Sequence, residues 1–386
     1  MKIKNRYYLD FNASSPLASS VKSFLAKGDF FYGNPSSVHS TGKRSRRAVS
    51  EVEDFLRDTY SLSEISLVFF HSGATEGLNS VLQGSAKTFF RRGEKALYLL
   101  GKADHSCIVN QEADLKDFGH AVEFYGSDKN GAYPVDEIIQ KINAFDGPCI
   151  LNYTWVNNET GVINPLANAE KIKKETGCYV VVDGVQSVGK VKDWNKISKS
   201  LDAYTFSGHK FGAMKGVGWT FLSVNFPYAP LLRGGGQQGG LRSGTENTDG
   251  IYSLKLALEE LVESQKNNPI ATYMDDFKKD LVAMLGDQGE LVGESSLSRS
   301  QSTFYIILKK QKADITLIAF DLDSLDVSSG SACSSGALEP SRVLTTMGYN
   351  EDDAKSALRI SFPFYFSASE YKEMKEKVFR VLSRFK

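Results

Sequence analysis

Short apolar runs alternate with amphipathic stretches between about residues 65 and 225. The apolar runs predict strands, and several stretches between them, such as VDEIIQKINAF and LANAEKIKKETG, predict helices. The predicted strands are 66–70, 96–100, 121–125, 149–155, 179–183, 203–207 and 218–223. This alternation predicts an α/β fold with a seven-stranded, mainly parallel sheet flanked by helices.

The pattern changes after the glycine-rich stretch RGGGQQGGLRSGT. Long helices are predicted near 250–266 and 272–285, followed by a few strands and a last amphipathic helix that begins at Ser369. We therefore expect a second, smaller α+β domain. The predicted large domain comprises residues 14–250, and the predicted small domain comprises 1–13 and 251–386, including a loop at about 324–340.

The chain has 386 residues with 46 Lys+Arg and 46 Asp+Glu, so its formal net charge is zero. A neutral balance argues against a large basic surface for nucleic acid or for an anionic membrane. No apolar run approaches the ~18 residues of a membrane-spanning helix. The first residues, MKIKNRYYLDFNASSPL, lack an apolar core of signal-peptide length, so we expect a cytoplasmic protein.

Four cysteines occur, and their spacing is not typical of a zinc site or of a disulfide framework. We expect no metal and free thiols. Cys149 and Cys178 lie in or beside predicted buried strands and are expected to fill the core. Cys107 is expected to face away from any site.

Polar residues follow the predicted strands, where an α/β sheet places its ligands. The stretch HSGATEG follows the first strand and aims helix N–H groups and the Thr75 hydroxyl at one point, which suits a phosphate. Taken alone, this stretch fits a capped helix without a ligand better. Asp183 ends the strand YVVVD and could hold a cationic ring nitrogen, or it could be an ordinary loop carboxylate.

Lys210 follows the predicted strand AYTFS within the stretch SGHKFG. A lysine in a glycine-bounded bend suits imine formation, although a single solvated lysine is the more common case. An amine, an acid and an anion site are the three groups that pyridoxal 5′-phosphate (PLP) requires. Lys210, Asp183 and the group of Thr75, Ser207 and His209 supply all three, so the combination predicts a PLP enzyme.

Two further residues have both a functional and a structural interpretation. His105 follows a predicted strand and could stack on the cofactor ring and move protons, or it could be structural. Arg359, on a predicted strand of the small domain, could bind a substrate carboxylate through its forked guanidinium. A structural salt bridge is an equally good interpretation of Arg359.

The stretch SSGSACSSGALEPS surrounds Cys333 with small residues and glycines. A cysteine there could fill a small gap, or its thiolate could be a nucleophile. The length of the surrounding loop is typical of a lid or carrier segment.

These motifs together resemble those of the cysteine desulfurases, in the class-V branch of fold-type-I PLP enzymes. The resemblance runs from Tyr8 to about Phe362 through YLDFNASSP, GNPSSVHSTG, SGATEGLN, VNNETGVINPL, VDGVQSVGK, FSGHK, GGGQQGGLRSGT and SSGSACSSGALEPS. It implies L-cysteine as substrate, PLP as cofactor, alanine as product and a homodimer. The form SSGSAC resembles the subgroup that serves iron–sulfur cluster assembly and related sulfur delivery, such as tRNA thiolation.

The resemblance also implies roles at the cofactor ring. Lys210 would form the imine with the cofactor, and Asp183 would pair with the pyridine nitrogen. Gln186 would hydrogen-bond the phenolic oxygen. His105 would stack on the ring and take part in proton transfer.

At the phosphate, the resemblance implies contacts from Ala74, Thr75, Ser207 and His209, with Thr245 reaching in from the other subunit.

Asn158 would contact the cofactor and, with Arg359, the substrate carboxylate. Cys333 would take the sulfur as a persulfide and pass it to an acceptor protein, a scaffold or carrier. Alternative functions are another class-V reaction, such as selenocysteine lysis or transamination, and a weakly active scaffold for sulfur assembly.

The sequence departs from the family pattern in places. Gln238 and Gly239 stand in GGGQQGG where the family commonly has a glutamate and an arginine. FGAMKGVGW and DGVQ also differ from the usual forms. These departures concern the phosphate contact across the dimer and the choice of partner.

Overall fold

The computed structural model of the chain describes residues 2–3, 5–28, 30–62, 66–266, 270–296, 298–329 and 339–385. The strands in these ranges are β1 (Lys2–Ile3), β2 (Arg6–Tyr8), β3 (Ser66–His71), β4 (Leu97–Gly101), β5 (Ala121–Tyr125), β6 (Cys149–Thr154), β7 (Tyr179–Asp183), β8 (Ala203–Ser207), β9 (Gly218–Ser223), β10 (Gly289–Leu291), β11 (Thr303–Leu308), β12 (Leu325–Asp326) and β13 (Ala357–Ser361).

The α-helices in the same ranges are α1 (Ser19–Ala26), α2 (Ser40–Thr59), α3 (Ala74–Arg92), α4 (Ser106–Val109), α5 (Glu112–Asp117), α6 (Val135–Asn143), α7 (Leu166–Thr176), α8 (Thr248–Gln265), α9 (Ile270–Leu285), α10 (Ala313–Leu322), α11 (Arg342–Thr346), α12 (Glu351–Lys355) and α13 (Ala368–Leu382). Short 3₁₀ turns include Gly208–Lys210 and Gln238–Gly240.

The central sheet has seven strands in the order β3-β9-β8-β7-β6-β4-β5. The strands β8, β7, β6, β4 and β5 are parallel to one another. Strand β9 is antiparallel to both of its neighbours, β3 and β8. All seven predicted strands are therefore confirmed, with shifts of one residue at some ends. Because only β9 is reversed, the carboxyl ends of the other six strands meet at one edge of the sheet.

Each face of this sheet is covered by helices, as a mainly parallel sheet requires. Along β7, Val180 and Val182 join the core on the face covered by α8, whereas Val181 joins the core on the face covered by α3. This alternation follows from the two-residue period of a strand. The result is a three-layer α/β structure, as the sequence predicts.

Two three-stranded sheets lie outside the central one, in the orders β10-β11-β13 and β1-β2-β12. The first packs against α9 and α13 through a separate apolar cluster that includes Phe277, Phe304 and Met374. A parallel bridge joins Asp10 to Ser361. The N-terminal segment is therefore held beside β13, and both approach the carboxyl edge of the central sheet.

Helix α8 begins two residues before the predicted domain boundary, and its buried face joins the core of the central sheet through Ile251, Leu254 and Leu258. The division into two domains at residue 250 stays a prediction. In the part of the chain that the structure describes, no helix has the length and apolar character needed to cross a membrane.

Candidate active site

A cavity of about 860 Å³ opens at the carboxyl edge of the central sheet. It collects side chains that the sequence spreads over nearly the whole chain. The residues predicted from the sequence that line it are Ala74, Thr75, His105, Asn158, Asp183, Gln186, Ser207, His209, Lys210 and Arg359.

Lys210 lies in the 3₁₀ turn that connects the end of β8 to the approach to β9. Its Nζ donates to the main-chain oxygens of Asn12 and Ala13, at 2.9 Å each. Burial lowers the pKa of Lys210 to about 8, and the nearby Arg359 cation acts in the same direction, while Asp183 opposes the shift. A larger share of neutral amine is therefore present near neutral pH than on a solvated lysine.

Asp183 ends β7 and is buried at the floor of the cavity. The Val185 amide donates to its Oδ1 at 3.0 Å. Burial raises the pKa of Asp183 to about 6, although the Val185 amide and the Lys210 cation both stabilise the ionised form. A cationic ring nitrogen beside this carboxylate would stabilise the ionised form further.

Helix α3 begins at the cavity with Gly73 as its N-cap, and no side chain caps this end. Ala74 and Thr75 follow as its first residues, and Ser207 and His209 line the same part of the cavity. Because the first N–H groups of a helix have no partners within the helix, this end is suited to an anion. Burial lowers the pKa of His209 to about 4, with further lowering by nearby lysines.

Glu76 stands in the first turn of α3 and lines the cavity. Arg242 Nε donates to Glu76 Oε1 at 2.7 Å, and the Ser72 amide donates to Oε2 at 2.9 Å. Burial opposes ionisation, but Arg242 and Ser72 lower the pKa of Glu76 to about 2. The Arg242–Glu76 ion pair links the stretch LRSGT to the start of α3. It also neutralises the negative charge of Glu76 close to the anion site.

Gln186 follows β7 and takes part in a buried hydrogen-bond network that the sequence did not reveal. Its Nε2 donates to Asn12 O at 2.9 Å, and its Oε1 accepts from Lys190 Nζ. Lys190 Nζ also donates to Asn12 Oδ1 at 2.9 Å. Since Asn12 O can only accept, the amide nitrogen of Gln186 must face it, which defines the orientation of the side chain.

Arg359 lies on β13 and is 4% exposed. Its Nη2 donates to Asp10 Oδ1 at 2.8 Å, and its Nη1 donates to Asn158 O at 3.0 Å. Its buried Nε has no hydrogen-bond partner among the described residues. The two interpretations of Arg359 thus combine, because it forms a structural ion pair and still keeps one N–H group free within the cavity wall.

Asp104, which sequence analysis missed, follows β4 and lines the cavity. Its carboxylate accepts from Thr154 Oγ1 at 2.7 Å, Asn152 Nδ2 at 2.8 Å and the Gly101 amide at 2.9 Å. Burial raises its pKa to about 6 against these donors. These three donors come from β4 and β6, and a fourth, the Tyr133 hydroxyl, lies 3.4 Å from Oδ1, so Asp104 ties together the ends of these adjacent strands.

His105, next in the chain, is exposed toward the cavity and is the N-cap of α4. Its Nδ1 accepts from the Cys107 amide at 3.2 Å, which leaves Nε2 to carry the proton of the neutral ring. Partial desolvation lowers the pKa of His105, and the Lys210 and Arg342 cations lower it further. A neutral imidazole is therefore favoured at this position.

Arg342 and Glu159 also line the cavity and were missed by sequence analysis. Arg342 Nη2 donates to Asp104 O at 2.5 Å, and Glu159 accepts a hydrogen bond from Ser341. The motif VNNETG contains Glu159, so its position was recognised but its role was not. Asn12 and Lys190 likewise lie within the motifs YLDFNASSP and VDGVQSVGK, but the sequence did not indicate their contacts.

Three of the four cysteines are among the described residues, and two of these three follow the predictions. Cys149 and Cys178 are buried, as predicted for core residues, and no disulfide involves them or Cys107. The prediction that Cys107 faces elsewhere is wrong, because Cys107 lines the cavity. It does so because helix α4 is only four residues long and turns at the cavity rim. Burial raises the pKa of Cys107 to about 12, which keeps its thiol protonated.

Two predicted site residues are not among the described residues that line the cavity. Thr245 is exposed on the surface of this chain. Cys333 lies outside the described residues, since the structure describes the chain up to residue 329 and again from 339.

Comparison with known proteins decides the family. The model of the family described as Aminotransferase class-V matches residues 7–374. A cysteine desulfurase of Nostoc sp. is 30% identical over 382 residues, which cover 98% of this chain and 93% of that protein. The chain is a class-V cysteine desulfurase. As a member of this family, the enzyme depends on PLP.

Other similar proteins agree with this assignment. A putative cysteine desulfurase IscS 1 of Bacillus subtilis is 30% identical to the enzyme and covers 98% of it, with 99% of its own length matched. The X-ray structure of a NifS-like protein from Rickettsia africae superimposes with a TM-score of 0.84 at 26% identity, covering 98% of the enzyme and 99% of that chain. The fold predicted from the sequence, a fold-type-I arrangement, is confirmed.

The residues around the cavity fit the cofactor. The enzyme offers an amine with a lowered pKa at Lys210, a buried carboxylate at Asp183 and a helix N-terminus without a side-chain cap at Gly73. A Cβ at Gly73 would lie in ordinary van der Waals contact with Ser207 Oγ, 3.7 Å away, so the start of α3 and the end of β8 lie side by side at the cavity. These groups correspond to the aldehyde, the ring nitrogen and the phosphate of PLP.

Proposed function

We propose that this cysteine desulfurase converts L-cysteine to L-alanine and that Cys333 receives the sulfur atom. In this reaction the substrate C–S bond breaks, an S–S bond forms to the Cys333 sulfur, and the substrate carbon gains a proton. L-cysteine and the Cys333 thiol thus become L-alanine and a Cys333 persulfide, without an external oxidant or reductant. Sulfur then passes from Cys333 to an acceptor protein.

One observation carries the proposal: Lys210, Asp183 and the start of α3 share a cavity with Arg359, whose guanidinium suits a carboxylate. A related protein of known structure, titled SspA in complex with cysteine, is 25% identical and superimposes with a TM-score of 0.77, covering 94% of this chain and all of its own. A cavity with these groups can bind an amino acid by its carboxylate and present its amine to the cofactor.

The residues would hold the cofactor as follows. Lys210 would bind its aldehyde, Asp183 its ring nitrogen and Gln186 its phenolic oxygen. Ala74, Thr75, Ser207 and His209 would hold its phosphate. PLP, when bound, supplies an electron sink that weakens the substrate bonds at Cα and Cβ.

The remaining Gln186 N–H is available to the cavity, because its other polar atoms are engaged by Asn12 and Lys190. His105, with a neutral ring favoured, would stack on the cofactor and take part in proton transfer through Nε2, since its Nδ1 is engaged by the Cys107 amide. Lys210, once released from the cofactor, would be the second group able to move a proton.

Arg359 and Asn158 would orient the substrate by its carboxylate. The Arg359 Nε is a buried donor with no partner among the described residues, so a small movement of the side chain that brings it to a carboxylate oxygen would satisfy a donor that otherwise costs free energy. Asp10 holds the other side of the guanidinium. A fixed carboxylate would in turn fix the direction in which the substrate sulfur points.

The same proposal extends to the surroundings of the site. Thr245 would complete the phosphate contact from the second subunit of a homodimer. A scaffold or carrier protein would accept the sulfur for iron–sulfur cluster assembly or tRNA thiolation in the cytoplasm. Residues 14–250 would form the cofactor domain, and residues 1–13 and 251–386 would form the domain that carries the cysteine.

The test compares wild-type enzyme with Cys333→Ala in the presence of L-cysteine and a reductant, measuring sulfide and alanine. We expect both products from the wild type and neither from the variant, while the cofactor absorbance near 400 nm is retained. Cys107→Ala is the matched control, since its thiol is held protonated. Alanine release by Cys333→Ala at the wild-type rate would point instead to another class-V reaction such as transamination.

A further inference from the structure

Glu159 is buried at the rim of the cavity, with 8% of its surface exposed. Its Oε2 accepts from Ser341 Oγ at 2.5 Å and from the Tyr305 hydroxyl at 3.1 Å. Ser341 belongs to the first described residues after residue 338. The carboxylate therefore holds the chain at the end where the segment 330–338 rejoins the described structure.

Tyr305 extends this contact to the other end of the same segment. Its single hydroxyl proton is shared between Glu159 Oε2 and the main-chain oxygen of Ser329, the last described residue before residue 330, each 3.1 Å away. Tyr305 is itself completely buried on β11. The chain thus leaves for the segment that contains Cys333, and returns from it, at one buried pair of side chains, Glu159 and Tyr305.

The contacts at Ser341 define the geometry further. Its Oγ donates to Glu159 and accepts from the Leu344 amide at 3.2 Å, which caps α11. The Ser341 hydroxyl therefore makes one hydrogen bond as a donor, which uses its only proton, and one as an acceptor. The next residue, Arg342, reaches Asp104 O at the cavity. The chain that follows the segment 330–338 is therefore held by two contacts, Ser341 with Glu159 and Arg342 with Asp104.

The departing end is tied to the proposed substrate site. Ser328 and Arg359 form an antiparallel bridge, in which the Arg359 amide donates to Ser328 O at 2.6 Å and the Ser328 amide donates to Arg359 O at 3.2 Å. Glu159 directly follows Asn158, whose carbonyl accepts from Arg359 Nη1. The residues proposed to hold the substrate carboxylate therefore share one network with both ends of the cysteine segment.

The contacts join both described ends of the segment to the substrate-carboxylate site. Ser328 is bonded to the Arg359 main chain, Ser329 lies beside Tyr305, and Ser341 is bonded to Glu159. Loss of the Tyr305 hydroxyl would therefore loosen Ser329 relative to Arg359 without removing a cofactor contact.

We propose that Glu159, together with Tyr305, is a positioning residue that holds both ends of the Cys333 segment in register with the substrate-carboxylate site. The inference rests on the proposed function, because it takes Cys333 as the sulfur acceptor. Charge supports it, since Arg359 and Arg342 lie close enough to Glu159 to stabilise its ionised form, whereas burial raises its pKa. A buried carboxylate with two hydrogen-bond donors, Ser341 and Tyr305, costs less free energy than one left unpaired.

The experiment compares Tyr305→Phe with Tyr125→Phe. Both hydroxyls are on completely buried tyrosines and both contact a main-chain oxygen, but Tyr125 contacts Asn152 in the central sheet. Elastase cleavage within 330–338 is followed by mass spectrometry on the apoprotein. On the holoenzyme, alanine formation in a single turnover and the absorbance change on adding L-cysteine are measured. Glu159→Gln is measured in parallel, so the result does not depend on one variant folding.

For Tyr305→Phe we expect cleavage about tenfold faster than in Tyr125→Phe and alanine formation about tenfold slower. The absorbance change on adding L-cysteine should be unaltered, because the cofactor and carboxylate contacts are untouched. Equal cleavage and equal alanine formation in the two tyrosine variants would overturn the inference, as would faster cleavage with unchanged alanine formation. If Cys333→Ala forms alanine normally, it is the proposed function that fails, independently of these variants.

Discussion

Arg359 Nη2 lies 2.8 Å from Asp10 Oδ1, and this ion pair joins β13 to the N-terminal segment at the wall of the cavity. The arginine side chain is 5% exposed and the aspartate side chain 18% exposed. The contact helps to set the direction of the guanidinium, together with the hydrogen bond from Arg359 Nη1 to Asn158 O, and the position of the N-terminal segment, together with the Asp10–Ser361 bridge. It also explains how a single arginine can be structural and still take part in substrate binding.

Replacing Asp10 by Asn should destabilise the protein by about 2 kcal/mol, because a buried guanidinium loses its counter-charge while one hydrogen bond can remain. The measurement is the free energy of unfolding in urea. Asp321→Asn is the control, since Asp321 also pairs with an arginine, Arg6, but is 71% exposed. Exposed pairs contribute little, so this control should change stability far less. Equal losses would contradict the buried character of the Asp10 pair.

The reaction of apoprotein with PLP should accelerate with pH and reach half its maximum near pH 8. The pKa of Lys210 is lowered to about 8 by burial and by Arg359, and the neutral amine, present above that pH, is the nucleophile. The check is stopped-flow absorbance between pH 6 and 10, with N-acetyl-lysine as the control for titration of PLP itself. A midpoint near that of the free amine would mean that Lys210 is solvated. Lys210→Ala should show no absorbance change from imine formation, because the amine is absent.

Asp183→Asn should weaken PLP binding about 10- to 100-fold, the loss expected when a charge-assisted hydrogen bond becomes neutral. Burial raises the pKa of Asp183 to about 6, so the carboxylate becomes protonated as the pH falls through 6. The ratio of PLP affinities between the wild type and Asp183→Asn should therefore decrease over that range. In the apoprotein the amide removes a buried charge, so its stability should not fall. PLP affinity is measured by equilibrium dialysis at pH 5 and 8, and an equal ratio at both pH values would contradict the assignment.

Gln238→Glu should destabilise the fold by about 1–3 kcal/mol. The Gln238 side chain accepts from the Phe70 amide at 2.5 Å and donates to the Phe70 carbonyl at 3.0 Å, and only an amide can do both. Gln237→Glu is the matched control, because Gln237 Oε1 accepts from the Gly244 amide and a carboxylate can do the same. Thermal unfolding of the two variants gives the comparison, and similar melting temperatures would refute the role of the Gln238 amide.

The Gln238 contact shows why one departure from the family pattern could not be interpreted from the sequence. From the sequence, the stretch GGGQQGG is interpreted as a loop that lacks the glutamate and the arginine of the family pattern. In the structure, Gln238 pairs with Phe70 on β3, the edge strand of the central sheet, 168 residues away. A glutamine at the edge of a sheet satisfies a main-chain donor and acceptor that would otherwise be left without a protein partner.

The seven central strands, and the positions of several candidate cofactor residues, could be predicted from the sequence because both depend on local order. The two-residue period of β7 and the position of Asp183 at its end are properties of one short segment, and parallel strands bring such ends to a common edge. Thr75, Lys210 and His105 could be placed in the same way. The contacts of these residues could not be predicted from the sequence, as the wrong prediction for Cys107 shows.

The sequence by itself determined the order and type of the elements and the residues at the carboxyl ends of the strands. Tertiary structure alone decided the contacts of Asn12, the pairing of Asp10 with Arg359 across 349 residues, and the meeting of Glu159, Tyr305 and Ser341. The reason is physical: hydrophobic period and strand ends are encoded over a few residues, whereas buried polar groups find their partners only when separate sheets pack together.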